Sequence, residues 1–193
     1  MKDNAHHQNR LNDMKQLINL DKVQSVLEEY GRDVRNAFQD NLIKGDRISS
    51  GKLLNSVEYS VEFNGVSYLV KLSLEDYWKY LEVGVRGKDN PSSPFDNPGW
   101  KAYPFILDWI TVKPVVPRPN KDGKLPTPRQ LAGAITYSIV EKGTQPTNDL
   151  EKAIEQVNGL YKDKLVYALR DDMDRVLKVI VGDIQGEMPE VRL

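Results

Sequence analysis

Two alternating runs joined by Asn64-Gly65 constrain the fold of this chain more than any other feature. Apolar and polar residues take turns within them, which is typical of strands with one buried face. The apolar positions are Val57, Tyr59, Val61 and Phe63 before the dipeptide, and Val66, Tyr68, Val70 and Leu72 after it. Asn-Gly suits a type I′ turn, because both central positions of that turn need positive φ. The stretch predicts an antiparallel hairpin whose register is fixed at Asn64-Gly65.

A helical pattern precedes the hairpin. Apolar residues recur at three- and four-residue steps from Val23 to Leu42, which is the spacing of one face of an α-helix. Asp21 is the predicted N-cap of this helix and Gly45 its predicted stop. A short turn or a single helical turn is expected over 49–56, just before the first strand.

After the hairpin, the sequence predicts a short helix over 75–80 and then a strand over 81–85. Pro104 is the predicted first residue of a helix through "PFILDWITV", because proline is favoured in the first helical turn. Two proline-rich loops, 86–103 and 113–128, flank that helix. Loops of this length inside a domain are typical of functional or partner-held segments. We expect both loops to extend from the domain and contact neighbouring subunits. The alternative is that Trp100 and Tyr103 fold back on this chain's own core.

Two more helices complete the pattern. Thr127 and Pro128 are the predicted cap and first residue of one helix, which ends at Gly143. Thr147 is the predicted cap of a long final helix with an apolar stripe from Leu150 to Ile180. The fold class predicted is α+β: a small antiparallel sheet with an N-terminal amphipathic helix and a long C-terminal helix packed on it.

The domain organisation follows from the same patterns. A polar N-terminal arm covers 1–19, a single domain covers 20–185, and a short tail covers 186–193. The chain has 193 residues, a net charge of -1, no cysteine and no apolar run near the ~20 residues of a membrane span. Disulfides and thiolate sites are excluded, and the charge argues against a dedicated nucleic-acid binder. These features predict a protein made and kept in a cytoplasm, with no membrane association.

The residue types offer little for catalysis. The histidines are His6 and His7, adjacent and within the polar arm, where they predict no metal site. Asp171, Asp172 and Asp174 suggest a divalent cation, but the surrounding helix pattern favours a solvated face. We therefore predict a protein that is not an enzyme, with no catalytic residue, no cofactor and no metal.

The stretch "YWKYLEVGVRG" (77–87) holds the acid of greatest interest, Glu82. A strand carboxylate between apolar residues can act as a general acid when burial raises its pKa. The sequence indicates no second carboxylate, so we favour a structural role. In that role Glu82 pairs with a basic group such as Arg86 or Lys52, within the subunit or across an interface. The aromatic residues of this stretch are expected to close the core.

The second loop is basic. Counted over 113–129, it has five basic residues against Asp122: Lys113, Arg118, Lys121, Lys124 and Arg129. Such a loop can contact phosphates, but it has no aromatic residue for base stacking. Docking to an acidic protein surface fits the loop equally well.

The order of motifs resembles one known family. "SGKLLNSVEYSVEFNG", "YWKYLEVGVRG" and "VEKGTQPTNDLEKAIEQV" follow each other as in the minor tail or tail-completion proteins of tailed bacteriophages. The Tyr-x-x-hydrophobic-Glu-x-Gly pattern of that family is matched at Tyr77 or Tyr80, Leu81, Glu82 and Gly84. Its late Gly-Thr-x-Pro turn is matched at Gly143, Thr144 and Pro146. The resemblance covers roughly 20–185, and the two long loops depart from the compact family pattern.

The resemblance implies a structural virion protein of the phage neck, assembled in the host cytoplasm. It implies a ring of six or twelve copies that joins the portal or adaptor to the tail and surrounds DNA without sequence-specific binding. The residues expected at interfaces are Glu82, Arg86, Phe95, Trp100, Tyr103, Arg118, Lys121 and Lys124. The alternative function is that of a small soluble cytoplasmic binding or regulatory protein without enzymatic activity.

Overall fold

The predicted hairpin is present in the computed structural model, which describes residues 20–64, 66–113, 115–119 and 121–186, with side chains described to 178. Strand β1 (Glu58–Phe63) pairs antiparallel with strand β2 (Tyr68–Ser73). Burial alternates along most of each strand, which gives the hairpin one partly covered face, while Phe63 and Leu69 are exposed. The α+β fold class is confirmed, and helix dominates it.

The connection between the strands is held by Asn64. Its backbone N–H donates to the Ser67 carbonyl at 3.2 Å, and its Oδ1 accepts from the N–H groups of Val66 and Ser67 at 3.0 and 2.9 Å. Gly65, with the type I′ turn predicted there, lies outside the described residues. Val57 and Val66 are not strand residues as predicted. Val57 follows a short helix into the core, and Val66 is exposed in the connection.

The helices occupy most of the remaining chain. In order they are α1 (Asp21–Lys44), α2 (Lys52–Ser56), α3 (Trp78–Glu82), α4 (Tyr103–Val112), α5 (Pro128–Lys142) and α6 (Asp149–Gly186), with a 3-10 turn at Gly99–Ala102 before α4. Helix α5 confirms its predicted boundaries. Thr127 forms a capping box with Gln130, and Gly143 follows the last turn.

Three local predictions are wrong. The strand predicted over 81–85 is absent, because Leu81 and Glu82 end helix α3 and Val85 forms only an isolated bridge with Thr144. Thr147 does not cap helix α6, which begins two residues later, at Asp149. The N–H groups of its first turn are bound by a side chain from another helix, Glu82. Asp21 is the first residue of α1, not its cap.

The described residues divide into two compact units. The first unit contains the described residues up to Asp33, the hairpin segment Ser60–Lys71 and the described residues from Val157 on. Its buried side chains include Val23, Val157, Tyr161 and Ala168. The Tyr30 and Tyr161 rings meet edge to face at 5.5 Å.

The second unit contains Val34–Tyr59 and Leu72–Gln156. Its core is a cluster of five buried residues, namely Phe38, Leu42, Leu53, Val57 and Ala153. Partly buried apolar side chains from α3 and α6, among them Trp78, Leu81 and Leu150, pack against this cluster. Each large side chain buried this way contributes about 1.5–3 kcal/mol.

Across the described part of the chain, every helix is too short or too polar to cross a bilayer. The predicted N-terminal arm (1–19), with His6 and His7, lies outside the described residues. So do the tail residues after Gly186.

Candidate functional site

Glu82 binds the first turn of helix α6. Its side chain is buried, with the residue 9% exposed. One carboxylate oxygen accepts from the Glu151 N–H at 2.8 Å and the other from the Leu150 N–H at 3.0 Å. The first N–H groups of a helix have no partner within the helix and carry its positive dipole end, so an anion satisfies them well.

Backbone bonds reinforce this cap. The Leu81 carbonyl accepts from the Thr147 N–H at 3.0 Å, and the Glu82 carbonyl accepts from the Asn148 N–H at 3.3 Å. The end of α3 therefore holds the whole approach to α6. This explains why Leu81 and Glu82 are not in a strand: their carbonyl groups are committed to the segment before α6.

The predicted pairing of Glu82 with Arg86 or Lys52 is wrong within the subunit. Glu82 is satisfied by backbone N–H groups instead of a cation. Arg86 is exposed and bridges to Asp96 at 3.1 Å, and its Nε donates to the Ser93 carbonyl at 3.1 Å. Glu82 therefore has the surroundings of a structural carboxylate.

The glycines of "LEVGVRG" meet the turn after α5 at close range. Val85 and Thr144 exchange hydrogen bonds, and Gly84 has φ +73°. A Cβ on Gly84 would lie 2.1 Å from the Thr144 carbonyl oxygen, and one on Gly87 would lie 2.0 Å from the Gly143 nitrogen. Only glycine permits backbones to approach so closely. The sequence gave no sign that Gly84 and Gly87 contact the turn after α5.

Hydrogen bonds hold the first part of loop 86–103 against the rest of the second unit. The Asn90 amide donates to the carbonyl groups of Val83 and Thr144, and the Ser93 hydroxyl donates to the Gly84 carbonyl. The Asn97 amide donates to the Ile139 carbonyl at 2.6 Å. The expectation that this loop extends from the domain is therefore wrong for 86–98.

The other predicted interface residues divide by exposure. Phe95 is half-buried against Tyr80, with ring centroids 5.1 Å apart, and Tyr103 is half-buried at the start of α4. Trp100 is 58% exposed. The three basic residues of the second loop, Arg118, Lys121 and Lys124, are exposed.

Helix α4 carries a surface that sequence reasoning missed. Apolar residues make up most of it, with Asp108 and Thr111 on one side, yet none of its ten residues is buried. Phe105 is 74% exposed, Val112 is 55% exposed, and half-buried Trp109 lies between them. These three residues, one helical face at steps of four and three, are called the α4 surface below. The signal available in the sequence was the high share of apolar residues in a short helix, because so wide an apolar surface needs more than one neighbouring element to cover it.

The aspartates of α6 only partly match the predicted solvated face. Asp171 is exposed and accepts from the Lys22 ammonium at 2.6 Å, a contact that lowers the pKa of that carboxyl. Asp174 is also exposed. Asp172 is 1% exposed, so the prediction is wrong there. It faces the start of α1 and accepts from the Val23 N–H at 2.9 Å.

Within the described ranges, no three His, Asp or Glu side chains are grouped so that they could hold a metal ion. Comparison with models of protein families, with curated proteins and with solved structures finds no significant match.

Proposed function

We propose that this chain is a structural virion protein of the neck of a tailed bacteriophage, without enzymatic activity. In this proposal, six or twelve copies form a ring at the head–tail junction, between portal or adaptor and tail. The observation that carries the proposal is the α4 surface. An apolar helix with no buried residue belongs at an interface, because exposed apolar patches on soluble chains mark sites of association.

The size of the α4 surface supports assembly over a simple pair. Aromatic side chains bury about 150–250 Å² each, so the exposed parts of Phe105, Trp109 and Val112 offer on the order of 300 Å². A stable pair buries roughly 800 Å² per partner. Two isolated chains would therefore associate weakly through this surface, whereas a closed ring gains from every copy making two contacts.

The residues that carry the family resemblance also support the proposal. The Leu81-Glu82-x-Gly84 motif and the Gly143-Thr144 turn lie about sixty positions apart, yet they pack on each other through Val85 and Thr144. Two motifs that are distant in sequence therefore form one structural element. The exposed Arg118, Lys121 and Lys124 would provide sequence-independent contact with phosphates in the channel.

One observation favours the alternative function, a small binding or regulatory protein. The α4 surface has anchors at positions i, i+4 and i+7, which is the pattern of a helix that docks in a partner's groove. In that case the partner would be a single protein, and the complex would be of low copy number.

The test is assembly in the presence of the products of the genes that flank this one. The full-length chain is co-expressed with them, and particles are examined by native mass spectrometry and negative-stain electron microscopy. We expect rings of six or twelve copies, lost with Phe105→Asp and retained with Val66→Asp. Val66 is the matched control because it is also an exposed apolar residue but lies in the hairpin. A one-to-one complex, or no complex, would contradict the ring.

A further inference from the structure

Helix α6 carries an exposed apolar stripe within the first unit. Val166, Leu169, Met173 and Leu177 recur at steps of three and four, so they share one face of the helix. They are between 46% and 60% exposed. This set is called the α6 stripe below. The buried face of the same helix, with Tyr161, Ala168 and Asp172, is a different one.

The described chain begins beside this stretch of α6. Lys22 bridges to Asp171, and the Val23 N–H donates to Asp172. Asp21 pairs with Arg175 at 3.0 Å. Leu20 is therefore placed next to the middle of the stretch that carries the α6 stripe, and nineteen residues of chain precede it.

Those nineteen residues hold apolar side chains at matching intervals. Leu11, Met14, Leu17 and Ile18 recur at steps of three and four among polar residues. The α6 stripe is about 16 Å long at a rise of 1.5 Å per residue. Nine residues can run that distance in an extended path, since extended chain spans up to ~3.3–3.6 Å per residue.

We propose that residues 11–19 cover the α6 stripe of their own chain, with their apolar side chains against it. The tether favours the same chain over a second copy, because a short connection raises the effective concentration to the mM range. Neither the α4 surface nor the ring enters this argument, so it stands apart from the proposed function.

Cysteine cross-linking tests the proposal cleanly, because the chain has no cysteine. Leu17→Cys is combined in turn with Leu169→Cys, Met173→Cys and Leu177→Cys in the full-length chain, under mild oxidation. We expect a disulfide within the monomer for at least one pair. The control combines Leu17→Cys with Tyr167→Cys, since Tyr167 is exposed on another side of α6. Cross-linked dimers, or no cross-linking above the control, would overturn the proposal.

A second measurement needs no introduced cysteine. Met173 is oxidised by hydrogen peroxide, and the sulfoxide is quantified by peptide mass spectrometry. The double variant Leu11→Asp/Leu17→Asp should raise the oxidation rate of Met173 several-fold. The matched control Asn12→Asp/Gln16→Asp adds the same charges at neighbouring polar positions and should leave the rate unchanged. Equal rates in the two variants would overturn the proposal.

Discussion

The two compact units use the same device at the starts of the two long helices, but they use it differently. In the second unit Glu82 caps α6 by accepting two backbone N–H groups. In the first unit Asp172 caps α1 by accepting one, from Val23, while its other oxygen faces Arg175 at 3.4 Å. Arg175 also binds Asp21. The Glu82 carboxylate accepts hydrogen bonds from backbone N–H groups of α6. The Asp172 carboxylate, in contrast, belongs to a network of charged side chains with Arg175 and Asp21.

This difference in hydrogen-bond partners predicts how much stability each unit loses when its capping carboxylate is removed. Removing Glu82 leaves two part-buried N–H groups of α6 without their acceptor. A hydrogen-bonding group that loses its partner costs more than a typical hydrogen bond contributes. Removing Asp172 leaves one N–H group, and Arg175 keeps its contact with Asp21. Substitution of Glu82 should therefore destabilise the protein more than substitution of Asp172.

Glu82→Ala tests this with the largest expected effect. Two hydrogen bonds to a charged acceptor are lost, so we expect the free energy of unfolding to fall by about 3 kcal/mol. Glu82→Gln keeps one acceptor oxygen and should lose about half of that. Urea denaturation followed by circular dichroism measures both variants. Glu75→Ala, at an exposed acid nearby, is the control, and a loss equal to that of Glu82→Ala would contradict the cap.

Asp172→Ala should have the next largest effect, a loss of about 2 kcal/mol in the free energy of unfolding. One charge-assisted hydrogen bond is lost, and the buried Val23 N–H is left without its acceptor. The same denaturation experiment measures it. Asp174→Ala serves as the matched control, because Asp174 is an exposed aspartate two positions away. If Asp172→Ala proved more destabilising than Glu82→Ala, the order argued from the two sets of partners would be wrong.

These two caps also mark the limit of what the sequence could predict. Helix α5 was predictable because its signals are local: Thr127, Gln130 and Gly143 lie at its own ends. The hairpin was predictable because alternation is local too. Glu82 acts on a helix start 68 positions further along, and Asp172 acts on one 149 positions earlier. A sequence pattern shows a carboxylate in either place but not its partner.

The α4 surface was missed for a related reason. The composition of the helix was visible, but its lack of cover depends on how the rest of the chain folds. Thr147 shows the opposite error: a residue with good local capping chemistry was displaced by Glu82, which reaches the same helix from another element. Local propensity therefore failed where tertiary contacts replaced it.

Tyr161 offers a test of the first unit that depends on pH. Its hydroxyl donates to Asp33 at 2.5 Å, and burial with this contact raises the pKa of Tyr161 to about 12. The folded state therefore holds the phenol proton more tightly than the unfolded chain does, whose tyrosine pKa is near 10. The stabilisation from Tyr161 should be complete below pH 10 and be lost as the pH rises from 10 to 12.

The measurement compares wild type with Tyr161→Phe by urea denaturation at pH 8, 10 and 11. Tyr161→Phe should be less stable at pH 8, by about 1 kcal/mol for the lost hydrogen bond, and the gap should narrow at pH 11. Tyr167→Phe, at an exposed tyrosine on the same helix, should follow wild type throughout. If the difference in stability between wild type and Tyr161→Phe stayed constant across the three pH values, the contribution assigned to the Tyr161–Asp33 hydrogen bond would be wrong.

Asn64→Ala should have the smallest effect, and it sharpens the comparison of the two caps. The Asn64 oxygen accepts from two backbone N–H groups, as the Glu82 carboxylate does. It is neutral and exposed, however, so water replaces it when it is lost and no buried donor is left unpaired. We expect a loss of about 0.5 kcal/mol in the free energy of unfolding, against about 3 kcal/mol for Glu82→Ala. Ser60→Ala, at an exposed hairpin position away from the turn, is the control. If Asn64→Ala cost as much as Glu82→Ala, then the number of N–H groups bound, and not charge and burial, would decide the strength of a cap in this protein.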